Sequence, residues 1–182
     1  MALATVACAR TGDDAPGPSL PGNDTTALPA ETPGIPARTL RYLALGDSYT
    51  IGTGATEAER FPVQLRNRLV ADGFTMLPAQ IIAANGWTTA NLLSATNTLQ
   101  PDTAYDLVTL LIGVNNQFQG RPIDEYASQF TTLLQRAIAF AGGDTARVCV
   151  WSIPDYGATP FGASYNPAQV AAQIDLFNQV NQ

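Results

Sequence analysis

From Thr39 onward, apolar runs of strand length alternate with longer stretches whose apolar residues recur at helical spacing. TLRYLALG (39–46) predicts a first strand ending at Gly46. RFPVQLRNRLVADG (60–73) sets Phe61, Leu65 and Leu69 on one helical face, with Gly73 as a stop. AQIIAANG (79–86) predicts a second strand, and TTANLLSATNTL (88–99) a helix with Thr88 as its N-cap. YDLVTLLIG (105–113) is almost continuously apolar, as expected of a strand covered on both faces. PIDEYASQFTTLLQRAIAFAGG (122–143) predicts a long helix, with Pro122 near its start and Gly142-Gly143 at its end. ARVCVWSIP (146–154) predicts a fourth strand, and NPAQVAAQIDLFNQVNQ (166–182) a further helix.

Strands alternating with helices predict an α/β fold with a parallel sheet. Such sheets gather their reactive groups at the carboxyl ends of the strands. The four strand ends here are Gly46-Asp47-Ser48-Tyr49, Asn85-Gly86-Trp87, Gly113-Val114-Asn115-Asn116-Gln117 and Pro154-Asp155-Tyr156-Gly157. Together they bring a hydroxyl, a glycine N–H and a side-chain amide to one edge. Those are the parts of an acyl-transfer site: a nucleophile, Ser48, and donors for the oxyanion of a tetrahedral intermediate, Gly86 and Asn115. Asp47, Tyr49, Asn116, Phe118 and Tyr156 are candidate substrate-binding residues around them. Tyr156, Phe161, Tyr165 and Phe118 either wall a pocket or pack over the edge of the sheet, and the sequence leaves both readings open. Arg121 reads as a solvated or capping residue rather than one that meets an anionic group of a substrate, the alternative for such an arginine. The pattern calls for no cofactor and no metal.

These motifs resemble the SGNH hydrolase family, also called GDSL-type esterases and lipases. GDSYTIG is similar to the family's first block, with Ser48 as nucleophile. Gly86 in AANGWTT matches the glycine of the second block. GVNNQ resembles the third block, commonly Gly-x-Asn-Asp, which gives Asn115 the oxyanion role and leaves Asn116 where the family usually has Asp. The resemblance implies a flavodoxin-like three-layer α/β/α sandwich. It also implies a serine ester hydrolase, acting on a carboxylic ester or thioester through an acyl-serine intermediate. The family's last block is Asp-x-x-His, after a fifth strand. No residue of this sequence is histidine, and none is lysine. The resemblance therefore leads us to expect a chain truncated before that block, with four strands present and the fifth missing, and inactive or nearly so as it stands. The alternative is a non-catalytic ester- or glycan-binding remnant of the same fold. A flavodoxin-like phosphate cradle in SYTIGTG leaves Gly86 and Asn115 unexplained.

Composition adds bounds. The 182 residues carry a net charge of −6, which argues against a nucleic-acid partner. No apolar stretch approaches the ~20 residues of a membrane-spanning helix. Residues 1–38 differ from the rest: MALATVAC is short and apolar, and a Pro-, Gly- and Thr-rich linker follows it. A small-residue run ending in cysteine resembles a truncated bacterial lipoprotein signal, although no basic stretch precedes it and Thr5 stands where such signals usually have Leu or Val. Cys8 is thus a lipidation candidate, and an exported or cell-envelope location with membrane attachment through that lipid is expected. Residues 39–182 form the hydrolase domain in this reading. Cys149, in an apolar strand, reads as a buried, inert thiol unpaired with Cys8.

Overall fold

A computed structural model describes residues 38–100 and 103–182. Cys8 and the linker up to Ala37 lie outside the described residues. The elements run β1 (Tyr42–Gly46), α1 (Ser48–Ile51), α2 (Phe61–Ala71), β2 (Gln80–Ala83), α3 (Thr89–Thr96), β3 (Leu107–Leu111), α4 (Val114–Phe118), α5 (Ile123–Phe140), β4 (Val148–Val150) and α6 (Pro167–Val180). All four predicted strands and all four predicted long helices form. The one-turn helices α1 and α4 stand where the sequence suggested only turns.

The strands pair in parallel, in the order β2-β1-β3-β4. The chain thus starts in the middle of the sheet, moves to one side for β2, and crosses to the other for β3. That reversal puts a crevice at the carboxyl ends of β1 and β3, the usual ligand position in open α/β sheets.

Side-chain alternation along β1 divides the core between two faces. Leu43 and Leu45 join Leu92 of α3, Leu133 of α5 and Ile174 of α6 in the larger cluster. Tyr42 and Ala44 point the other way, into a smaller cluster with Met76 and with Leu65 and Leu69 of α2. Helices on both faces make three layers. Each fully buried leucine contributes roughly 1.5–3 kcal/mol, so the larger cluster dominates stability.

Local chemistry sets the boundaries. Thr88 caps α3 as predicted: its N–H and its hydroxyl both donate to Asn91 Oδ1, at 3.0 and 2.9 Å. Asn166 caps α6 by accepting from the Gln169 N–H at 3.2 Å. Gly142 and Gly143, at φ of 72° and 85°, stop α5 where a side chain would be strained. The fourth strand is shorter than predicted. Past Trp151 the backbone turns to α6, where the Asn178 amide accepts from the Ile153 N–H at 2.7 Å and donates to the Ile153 carbonyl at 3.0 Å.

Cys149 corrects the sequence reading, because it is exposed. Register places Ala44, Ile81, Thr109 and Cys149 in one row across the sheet. Ala44 and Thr109 are buried in that row. β4 is the edge strand, and the cover on this face stops short of it. An apolar run looks the same in sequence whether one face or both are covered.

Candidate active site

The turn after β1 is built by close approach. A Cβ on Gly46 would lie 2.5 Å from the Leu111 carbonyl of the neighbouring strand and 2.7 Å from Thr50 Cβ. The chain can therefore leave β1 directly into α1 only with glycine there. Gly46→Ala is expected to cost about 3 kcal/mol, because the still nearer Thr50 hydroxyl is buried and the Leu111 carbonyl is backbone, so neither can step aside. A urea midpoint unchanged from wild type would contradict this.

Asp47 caps α1, its carboxylate accepting from the Tyr49 N–H at 3.0 Å. It is 1% exposed and does not line the pocket beside Ser48. The sequence reading made it a substrate-binding candidate, but the structure makes it the turn's builder. Burial raises its carboxyl to about 6, against the lowering effect of the backbone hydrogen bonds. The folded state thus holds this proton more tightly than the unfolded chain does. The associated stability is complete below about pH 4 and is lost as pH rises through about 6. At ~1.4 kcal/mol per pKa unit the change is about 3 kcal/mol. Asp47→Asn keeps the acceptor for Tyr49 and removes the titration. Its denaturation free energy should therefore gain on wild type by that amount between pH 4 and pH 7. A constant difference between the two proteins across that range would refute the assignment.

Ser48 is the first residue of α1 and is half-buried. With Tyr49, Val114, Asn115, Phe118, Tyr156 and Phe161 it lines a pocket of about 220 Å³. The ends of β1, β3 and β4 thus converge on one cavity. Tyr49 is raised above the ordinary tyrosine value, first by burial and then by the charges of Asp47 and Asp155.

Gly86 is not on the wall of that pocket, but it is tied to it. Asn115 Nδ2 donates to the carbonyl of Trp87, the residue after Gly86, at 3.0 Å. Gln119 Nε2 reaches the Gly86 carbonyl at 3.4 Å. Gly86 sits at φ 75°, in the left-handed region that suits glycine. Among the described residues, neither the Ser48 nor the Gly86 N–H donates to another backbone carbonyl or side chain. One N–H of the Asn115 amide also remains beyond the bond to Trp87. An anionic oxygen beside Ser48 is the kind of group such donors serve.

Asn116, the next residue on α4, turns the other way. It is fully buried. Its Oδ1 accepts from the Thr89 N–H at 3.0 Å, and its Nδ2 donates to Thr89 Oγ1 at 2.8 Å. It locks the start of α3 to α4 and does not touch the pocket, contrary to the sequence reading. Neighbouring positions on a helix lie about 100° apart, so Asn115 on the pocket wall puts Asn116 inside. An amide suits this place because it both donates and accepts, which a carboxylate cannot do.

The aromatic side chains satisfy both open readings. Phe118, Tyr156, Phe161 and Tyr165 are all mutually adjacent, with ring centroids 5.5 to 6.2 Å apart. Tyr156 is buried at the centre, and Phe118, Tyr156 and Phe161 line the pocket. Tyr165 backs them from the α6 side, beside Asn166 and Gln169. Val114 and Gln119 escaped sequence reasoning. The first reads as an apolar turn residue, and the second acts only through a turn distant in sequence.

Residues 44–182 match the profile of the GDSL-like Lipase/Acylhydrolase family, and the chain belongs to that family. Lipases and acylhydrolases cleave ester bonds, so the chemistry of the class is ester hydrolysis. The fold is similar to the crystal structure of TesA, with 22% identity over 76% of this chain and 75% of that one, at a TM-score of 0.54. It is also similar to the lipase Lip_vut3 from a goat rumen metagenome, with 21% identity over 78% and 74%, at 0.61. A third similar structure is the psychrotrophic esterase EstA from Pseudoalteromonas sp., inhibited by monoethylphosphonate, with 18% identity over 77% and 74%, at 0.52. At these identities the likeness is one of fold. No curated protein matches the chain.

Proposed function

We propose that the protein is a serine ester hydrolase that cleaves a carboxylic ester or thioester through an acyl-Ser48 intermediate. One observation carries the reading: Ser48 and Asn115, from the two sides of the β1/β3 crevice, line the same pocket. Ser48 Oγ attacks the ester carbonyl. The developing oxyanion is received by the N–H groups of Ser48 and Gly86 and by the free Asn115 amide hydrogen. The alcohol or thiol leaves, and water then releases the acyl group.

Proton transfer needs a base matched to neutral pH. The sequence has no histidine and no lysine. Ordinary carboxylates, at a pKa of ~4, are poorly matched to a serine hydroxyl. Asp47 lies nearest in value, but it is buried and already bonded to the Tyr49 N–H. The base in this reading belongs to an Asp-x-x-His segment outside these 182 residues, and the present sequence alone turns over slowly or not at all. A chain extended through its own downstream codons should hydrolyse p-nitrophenyl acetate, while residues 1–182 alone should stay near the buffer rate. Equal rates from the two chains would sink this division of labour. The absence of histidine equally favours a second reading, a protein that binds an ester or glycan without turnover. In that case the extended chain, too, stays silent.

Residues 39–182 are the hydrolase domain in this proposal. Cys8 carries a lipid that attaches the protein to the cell envelope.

A further inference from the structure

Arg60 lacks the partner its charge calls for. It makes no ion pair among the described residues. Its Nε is buried with no hydrogen-bond acceptor among the described residues. A buried, unpaired guanidinium hydrogen is costly. Arg60 also occupies the N-cap of α2, the positive end of a helix dipole, with no side chain capping that end. Its stem is held in place: a Cβ on Gly52 would lie 2.6 Å from Arg60 Cγ.

The arginine lines a cleft of about 520 Å³ between the loop after α1 and the end of β2. Thr53 and Asn85 face each other across it, the Thr53 hydroxyl donating to Asn85 Oδ1. That bond leaves Asn85 Nδ2 as a second unused donor. Among the described residues, no carboxylate lines the cleft. Glu57 lies with Arg66 in the cavity on the other side of Arg60, and it pairs with neither arginine. In a chain of net charge −6, the cleft is a local cationic pocket. It also adjoins the candidate active site, because Asn85 precedes Gly86 and Ile51 ends the helix that Ser48 begins.

We propose that this cleft binds an anionic oxygen group, a carboxylate or phosphate, carried by the ester substrate. Arg60 supplies the charge and Asn85 Nδ2 a flanking hydrogen bond. The placement on the substrate rests on the ester-hydrolase reading, whereas the anion site itself does not. The protein thereby selects esters that carry a negative charge able to reach this neighbouring cleft while the ester group lies at Ser48.

Calorimetric titration of the whole chain tests this. Inorganic phosphate probes the bare site, and monomethyl succinate probes an ester bearing a carboxylate. Dimethyl succinate is the uncharged control. Both anions should bind wild type and weaken about tenfold or more in Arg60→Gln, the loss of one charge-assisted contact. Thr53→Asp keeps the arginine but sets a fixed carboxylate in the cleft, so it should weaken both anions too. Dimethyl succinate should not respond to either substitution. Anion binding that is undetectable, or equal in wild type and both variants, overturns the site. Phosphate binding that depends on Arg60 without monomethyl succinate binding overturns the substrate assignment. Ser48 that never acylates in the extended chain, while both anions still need Arg60, refutes the hydrolase reading and leaves the anion site standing.

Discussion

In a chain that carries the Asp-x-x-His segment, Ser48→Ala is expected to lower kcat for a short-chain ester by about 10⁴–10⁶-fold. The effect is large because in the proposed mechanism the serine oxygen forms the covalent intermediate, and methyl hydrogens cannot replace it. KM should change little, since the pocket wall of Tyr49, Val114, Phe118, Tyr156 and Phe161 is left in place. The urea midpoint should also hold, because Ser48 is half-buried and its backbone bonds to Gly52 and Thr53, both at 3.0 Å, remain. A variant that kept more than about one part in a hundred of the wild-type kcat would show that the nucleophile lies elsewhere.

Asn115→Ala should produce the second-largest loss, about 10²–10³-fold in kcat. Removing the amide deletes one of the proposed donors to the oxyanion. It also cuts the bond to the Trp87 carbonyl that holds the Gly86 turn against α4, so the second donor loosens as well and the loss should fall at the upper end. The adjacent Asn116→Ala provides the contrast. It leaves the buried Thr89 N–H without its acceptor and removes one of the two partners of the Thr89 hydroxyl, which keeps Gln129; the loss costs about 1–3 kcal/mol of stability. Two neighbouring asparagines should thus separate cleanly, one on rate and one on folding. Similar kcat losses in both, with unchanged midpoints, would contradict the geometry.

The order of elements was legible because apolar spacing follows the 3.6-residue and two-residue periods directly. Thr88 and the glycine pair after α5 were legible because capping is local chemistry. Ser48 and Asn115 could be placed at one edge because parallel strands bring their carboxyl ends together. What lay beyond reach depended on neighbours distant in sequence. Cys149 is exposed because β4 is the edge strand among the described residues, and strand order cannot be read from a strand's own residues. Asn116 is buried because α4 is a helix with Asn115 on the pocket side, whereas the sequence suggested only a turn. Asp47 faces inward because Gly46 lets α1 pack tightly under the turn. Arg60 gave no signal at all, since only the three-dimensional arrangement shows that no carboxylate among the described residues meets it.

The central claim is that Ser48 is a nucleophile prepared on its oxyanion side and dependent on a base outside these residues. Fluorophosphonate labelling, with the adduct mapped by peptide mass spectrometry, tests it most directly. In the extended chain the probe should modify Ser48 alone, the Asn115→Ala variant should label far more slowly, and residues 1–182 should label little. An extended, folded chain that leaves Ser48 unmodified, or labels another residue instead, would contradict the account.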